Sequence, residues 1–453
     1  MAMIGLELVD AALVAVRDGA CLAKSPGVAL LEPQGLIVGE AAAAAARLKP
    51  VLASDRFWSD LAADALAQVS GPPVSHADLA HAHLGQLWRT IGRPGDEVML
   101  AVPGTMRPQQ LGLALGIARS IAMPVTGIVD AAIAACACLP ARAAVLHLDV
   151  QLHQSVLTEM RGASLLRRRR VEISARTGLK VMQAAWAQLV SEAMVRRTRF
   201  DPLHQAASEQ QLFQRLPGWL DACSSQESID VTIETGAGAF TATLHREQFA
   251  LAAEAWYAQL IELVHAGRRA GESVSLALSA RAAALPGLRD RLAALGDIEL
   301  TTLPDEAAAA AAVARAAEIA TGGAPALVTA LQRSEPVVAG PGRMPRSGNI
   351  MRPTHVILAG RAHALDEHPL VLGLGAGDGG QAGRRLALSG TIAGISRSHC
   401  TLLARDSDVI VRDHSRFGTF VNGERVEGEA VLVAGDRLRL GTPGVVLELV
   451  AVA

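Results

Sequence analysis

The sequence predicts a multidomain protein, with an α/β region over residues 1–331 and an all-β sandwich over residues 354–453. Three observations carry this reading. Up to about residue 331, short apolar runs alternate with long stretches of helical period. Beyond residue 353, strand-like runs recur at short spacing between Gly, Asp, Asn and Ser, and no helix of useful length fits. The two regions are separated by Arg333–Pro353, RSEPVVAGPGRMPRSGNIMRP, which holds four prolines, three glycines and four arginines and has neither period. A flexible linker over 332–353 has a typical span of roughly 25 Å, so the flanking domains could move independently.

In the α/β region, Gly95–Pro103 reads as a turn and a buried strand, and Arg107–Ile121 as a helix. Val145–Thr158 alternates, with Leu146, Leu148, Val150 and Leu152 on one face and His147, Asp149, Gln151 and His153 on the other. Gly178–Arg197 is a long amphipathic helix. Ser228–Leu244 carries two strands about a Gly-Ala-Gly turn, and Gln248–Arg268 is again helical. Ser273–Ala280 reads as a strand, and Asp305–Ile319 as an Ala-rich helix of high propensity. The tail holds nine short strand candidates between His355 and Val450.

Composition narrows the function. The chain has 453 residues, enough for two or three cores. Lys and Arg number 42 against 44 Asp and Glu, a balance that argues against nucleic acid or an anionic membrane as a partner held by bulk charge. Five scattered cysteines make no disulfide framework. The N-terminus lacks a basic stretch ahead of its apolar residues and is interrupted by Glu7 and Asp10, so neither a signal peptide nor a membrane span is expected. The expected location is the cytoplasm.

Three ordered motifs mark the tail: Gly394–Cys400 (GISRSHC), Val411–Gly423 (VRDHSRFGTFVNG) and Val433–Gly441 (VAGDRLRLG). A phosphothreonine dianion needs a cation and short neutral donors, and Ser396, Arg397, Ser415 and Arg416 supply both chemistries from two loops. The motifs resemble the forkhead-associated (FHA) domain, a family that binds phosphothreonine peptides. The resemblance implies that Ser396 and Arg416 face the phosphopeptide with Arg397 assisting. It also implies that Ser415 and Gly418 shape the second loop, that Asn422 holds the loop or the peptide backbone, and that His399 braces the loops. One departure matters. The family's early Gly-Arg reads Gly373-Leu374 here, and loss of a charge-assisted hydrogen bond worth about 1.5–3 kcal/mol would weaken binding roughly ten- to a hundred-fold. Arg384 or Arg385 could reach the site instead. The alternative is a sandwich that docks an unphosphorylated partner.

In the N-terminal region, Ile4–Asp10, Leu100–Thr105, Leu111–Arg119, Pro124–Ala135 and Leu146–His153 follow one another in an order that resembles the actin-like ATPase domain of the seventy-kilodalton heat-shock chaperones. Ser25–Leu30, Val38–Ala41 and Thr198–Pro202, the last within a long helical part, fit the same pattern. The resemblance covers roughly residues 1–331 and implies two lobes with ATP and Mg²⁺ between them. The phosphates would be held by the backbone N–H groups of two Gly-rich hairpins. Both hairpins are degenerate here: Glu7–Ala12 and Asp149–His153 lack the glycines, Leu276–Arg281 lacks the expected Gly pair, Asp130 stands for a Glu, and Ala41–Ala46 has no Lys. The surviving acids, Glu7, Asp10, Asp130 and Asp149, mark a degenerate nucleotide site that could hold a metal or another ligand. Asp10 and Asp149 could equally cap hairpins.

The expected function is therefore a phosphothreonine-dependent scaffold or regulator. It would carry a pseudo-ATPase without catalytic residues or cofactor, bind a Thr-phosphorylated protein through the tail, and offer a second protein-binding surface on the large domain. The alternative is an active ATPase using ATP and Mg²⁺ and recruited through the tail. A further possibility is intramolecular docking of a phosphorylated linker or large-domain Thr. His147, Asp149 and His153 read as a solvated or interlobe strand face, and suit a metal only if no turn falls at Gln151. Cys136 and Cys138 read as small core residues, and Arg167–Arg170 as a solvated edge that deters strand pairing, with a patch for phosphate, nucleic acid or an acidic partner as the alternative. Gly373–Gly377 opens no helix and is not read as a nucleotide loop.

Overall fold

The computed structural model describes residues 2–66, 74–139, 144–269, 272–320, 323–333, 352–358, 361–366, 368–374, 384–388, 394–405, 408–422, 424–441 and 444–451. Most of the expected linker and Gly375–Gly377 lie outside these residues. The chain divides into two compact units, Met1–Leu260 with Val274–Ala339, and Ile261–Ser273 with Gly340–Ala453.

The first unit opens with a meander of β1 (Met3–Leu8), β2 (Ala12–Arg17) and β3 (Ala20–Pro26), turned by Asp18 and Gly19 at positive φ. A small sheet follows from β4 (Ala29–Glu32), β5 (Gly35–Val38) and β6 (Ala53–Ser54), with α1 (Glu40–Ala43) inserted. Then come α2 (His76–Ile91), β7 (Glu97–Val102), α3 (Pro108–Ser120), β8 (Val125–Asp130) and α4 (Ala131–Cys136). A second meander is β9 (Ala144–Val150), β10 (Ser155–Arg161) and β11 (Leu165–Ser174). Helices α5 (Leu179–Thr198) and α6 (Ala206–Ala222) and the hairpin β12 (Ser228–Thr235) and β13 (Gly238–His245) follow. After α7 (Arg246–Ala252) and α8 (Glu254–Gly267) come β14 (Val274–Leu278), α9 (Ala280–Ala283), α10 (Leu288–Ala293) and β15 (Ile298–Thr302). The unit ends with α11 (Ala307–Ala314), α12 (Ala316–Ile319), β16 (Leu327–Val328) and β17 (Ala330–Gln332).

Its two large sheets share one plan. The first runs β3-β2-β1-β7-β8 with β16 added, and the second β11-β10-β9-β14-β15 with β17 added. In each, an antiparallel meander is joined through its first strand to two parallel strands. Crossover helices supply those parallel connections.

Local chemistry explains several elements. Ser75 and Asp78 form a reciprocal capping box at the start of α2. Helix α11 is built of Ala because it lies directly on β1. A Cβ on Gly5 would sit 1.9 Å from the Ala309 carbonyl oxygen, and Ala308, Ala309 and Ala312 are buried. Bulkier residues on either side would hold the helix off the sheet. Two apolar clusters result, one around Leu6, Leu13, Phe57, Leu84 and Leu100, the other around Val129, Ile133, Val145, Met160 and Ala312.

Several expectations are corrected. The Ala-rich helix breaks at Arg315, and the 248–268 helix at Ala253. Thr198–Pro202 is not helical beyond Thr198, because Arg199 turns left-handed at φ 63° and closes α5. Strand β9 is buried on both faces, so His147 and Asp149 face no solvent. Of Cys136 and Cys138, the first is buried in the core and the second is exposed. The arginine run is covered at its start only, where Arg167 pairs with Ala330 of β17 and Arg168 N–H donates to the Thr329 carbonyl. Its alternation turns Arg168 and Arg170 toward acids, Asp130 and Glu159, and leaves Arg167 and Arg169 exposed.

In the second unit, β18 (His355–Leu358), β19 (Arg361–Ala364), β20 (Leu370–Leu374), β21 (Arg384–Leu388), β22 (Cys400–Arg405), β23 (Asp408–Asp413), β24 (Thr419–Val421), β25 (Glu424–Arg425), β26 (Glu429–Leu432), β27 (Arg437–Leu440) and β28 (Val445–Val450) build two sheets. Their orders are β19-β18-β28-β27-β24-β25 and β21-β20-β22-β23-β26. Every pairing is antiparallel except β20 with β21. Val356, Leu372, Leu402, Val411, Leu438 and Leu449 share one core between the sheets. No helix among the described residues is long and apolar enough to cross a membrane.

Candidate functional site

Two clusters of polar side chains stand out, one in each unit. In the first unit, Glu7 at the end of β1 and Asp149 at the end of β9 approach one another from the two sheets. Both are almost fully buried. Between them lies Arg281, in the short helix that follows β14. Its Nε and Nη2 donate to the two oxygens of Asp149 at 3.1 Å each, and Nη2 also donates to Glu7 Oε1 at 2.9 Å. The sharing is unequal. Burial raises the Asp149 pKa, but the charge and hydrogen bonds of Arg281 outweigh it and hold the carboxyl at about 2. Glu7 has one contact, so burial prevails and its pKa is raised. The guanidinium is held well above its ordinary value: burial lowers it, and the attraction of Asp149 and Glu7 outweighs that.

Asp10, in the turn between β1 and β2, crosses to the turn between β9 and β10. Its Oδ1 accepts from the Leu152 N–H at 2.9 Å and its Oδ2 from the His153 N–H at 3.2 Å. A third amide of that turn, Gln151 N–H, donates to the Gln154 carbonyl at 2.8 Å. Two of the turn's carbonyls are bonded as well: Leu179 N–H donates to Gln151 and Lys180 N–H to Leu152, at 2.8 and 2.9 Å. Gly178 permits this approach, since a Cβ there would lie 2.4 Å from the His153 carbonyl carbon. Burial raises the Asp10 pKa, opposed by the Leu152 and His153 contacts.

Asp130 caps α4, accepting from Ala132 and Ile133 N–H at 3.0 and 3.2 Å, and binds Arg168 Nη1 at 2.6 Å. The cavity lined by Glu7, His147, Asp149, Gln151 and Arg281 measures about 40 Å³, room for a few waters. His147 is buried there with its pKa lowered by burial, whereas His153 turns away onto the Asp55 carbonyl at 3.1 Å. A turn does fall at Gln151, and His147, Asp149 and His153 do not converge. Among the described residues no group of three or more His, Cys, Asp or Glu is arranged to hold a metal ion.

In the second unit, the loop before β22 and the loop between β23 and β24 lie together. His399 is fully buried between them. Its Nδ1 accepts from Ser396 N–H and its Nε2 donates to the Gly418 carbonyl, both at 3.0 Å. This is the neutral ring, and burial lowers its pKa despite the Gly418 contact. Ser396 Oγ accepts from Arg416 N–H at 3.2 Å, and Ser415 Oγ accepts from Gly418 N–H at 2.7 Å. Both hydroxyls thus keep a proton to donate. Asp413 Oδ1 holds the second loop through Ser415 N–H at 3.0 Å and Thr419 Oγ1 at 2.7 Å. Arg397, Arg416 and Phe417 are exposed.

Asn422 braces its own turn. At φ 52° its amide donates to Asp436 Oδ1 at 2.7 Å and accepts from Arg437 N–H at 2.8 Å, so it ties its turn to the start of β27. Sequence reasoning missed the central role of Arg281, whose partners lie 274 and 132 residues away.

The family model of the FHA domain matches residues 381–441, which run from just before β21 through β27. The chain carries a C-terminal FHA domain. Such a domain implies phosphothreonine-dependent protein interaction. No curated protein matches the chain.

Proposed function

We propose that the chain is a phosphothreonine-dependent scaffold or regulator. Its first unit keeps an actin-like, heat-shock-chaperone-type ATPase fold without ATPase chemistry. The boundaries we assign are 1–331 for the ATPase-like domain, 332–353 for the linker and 354–453 for the FHA domain. The observation that carries the reading is the pair of loops braced by His399, which bring the Ser396 and Ser415 hydroxyls together with Arg397 and Arg416. A phosphothreonine carries about −1.5 to −2 charge and three acceptor oxygens, and this set offers it both cations and neutral donors.

The shared strand order of the two large sheets supports the actin-like reading of the first unit. The contacts already made by Glu7, Asp10 and Asp149 support its inactivity. The residues present do not fit a magnesium nucleotide. Arg281 already supplies the positive charge between Glu7 and Asp149, and Asp10 already supplies the negative charge to the turn amides that would hold phosphate.

Two measurements on the full chain test the proposal. Binding at a hundred times the dissociation constant stabilises by about 2.7 kcal/mol, so unchanged melting with ATP and Mg²⁺ is expected, and a clear rise overturns the inactive reading. A phosphothreonine peptide array should lose signal on combining Ser396→Ala with Arg416→Ala. Equal signal from both chains removes the phosphate-reader claim.

A further inference from the structure

We propose that Arg385, on β21, supplies the phosphate-facing guanidinium of the FHA loops and thereby replaces a side chain that β20 does not provide. The inference rests on the phosphothreonine reading above.

The end of β20 is apolar. Leu374 offers the loop only its backbone N–H, which donates to the Ser396 carbonyl at 3.1 Å. Gly373 packs beneath the loop so tightly that a Cβ would lie 2.1 Å from the Arg397 carbonyl oxygen. Neither residue can bring a cation to the site. The neighbouring strand can. Strand β21 runs parallel to β20, with Arg385 opposite Val371. The Arg385 Nη2 donates to the Arg397 carbonyl at 3.1 Å and to Ser398 Oγ at 2.5 Å, so its guanidinium lies on the loop that carries Ser396.

Arg384, one position earlier, is excluded by its own contact. It pairs with Asp366. Arg385 differs in having a carbonyl and a hydroxyl as partners, which leaves its charge uncompensated by either. A guanidinium has five N–H donors, and these two contacts use only one nitrogen. The Nη1 hydrogens and the Nε–H remain, and each can donate singly to a phosphate oxygen as a charge-assisted hydrogen bond.

The test compares a phosphothreonine peptide library with its unphosphorylated counterpart on the full chain. The chains are wild type, Arg385→Ala, Arg384→Ala, Ser396→Ala, and Arg385→Ala combined with Leu374→Arg. Arg385→Ala is expected to weaken phosphopeptide binding roughly ten- to a hundred-fold and to flatten its salt dependence, with the melting curve of the unit retained. Arg384→Ala should bind as wild type, and Leu374→Arg should restore binding to the Arg385→Ala chain. If Arg385→Ala binds like wild type while Ser396→Ala does not, Arg385 is outside the site and the phosphothreonine reading survives. If the wild-type chain does not distinguish phosphorylated from unphosphorylated peptides, both proposals fall.

Discussion

Replacing Arg281 with alanine would leave Glu7 and Asp149 facing one another, buried, with no counter-ion. Breaking a buried ion pair by removing one partner costs about 3–5 kcal/mol. For a unit of this size each kcal/mol shifts the melting temperature by about 1.5 °C, so a fall of about 4–7 °C is expected in the transition of the first unit. The loss should depend on pH. In the wild type, Asp149 lies below its ordinary value of 3.8, at about 2. It therefore contributes stability that is complete above 3.8 and lost as pH falls through about 2. Without Arg281, burial alone acts on both carboxyls and raises them. Protonation then relieves the repulsion, and the variant should gain stability relative to wild type as pH falls from 8 to 5. Calorimetry of the full chain at both pH values, with and without millimolar Mg²⁺, measures this. Mg²⁺ should stabilise the variant and leave the wild type unmoved. Unfolding within about 0.5 kcal/mol of wild type at both pH values would refute the claim that Arg281 neutralises this pair.

Three further outcomes are expected. Asp10→Ala strips the Leu152 and His153 amides of their acceptor and should cost about 1–3 kcal/mol in denaturant unfolding, with no matching loss in the second unit. Gly5→Ala drives a methyl into the Ala309 carbonyl and should cost about 1–3 kcal/mol or more, read as a lower denaturation midpoint. The His399 pKa is lowered from 6.5 by burial, so the stability its neutral ring gives is complete above that value. That stability is lost as pH falls through the lower folded value, and a pH series of melting curves should show the second unit weakening below about 6.5, an effect that His399→Gln removes.

Much of the fold was legible because its signals are local. The apolar run at Glu97–Val102, the amphipathic stretch of α5 and the Ser396, His399 and Gly418 motif each announce themselves within a few residues. The breaks at Ala253 and Arg315 were not legible, because strong helix formers flank both and only packing decides where the axis turns. The buried state of His147 and Asp149 was hidden for a related reason. Strand alternation distinguishes two faces but cannot say that both are covered. Side-chain partners at long separation were least visible. Arg281 follows Leu276–Ala280 as an ordinary basic residue at a helix start, and nothing nearby shows that Glu7 and Asp149 await it. The bonds of Asn422 to Asp436 and Arg437, 14 and 15 residues away, were hidden for the same reason.

The covering of β1 by α11 bears on how the chain matures as it is made. Strands β1, β2 and β3 are complete within the first 26 residues and can pair as soon as they emerge. The helix that seals β1 begins only at Ala307, and the last strand of the same sheet only at Leu327. Synthesis at about 5–20 residues per second puts roughly 15–60 seconds between those events. For that interval the face of the sheet destined for α11 is uncovered and open to holding factors. A nascent chain halted before residue 307 should be the form such factors capture, and release should follow once the alanine helix docks.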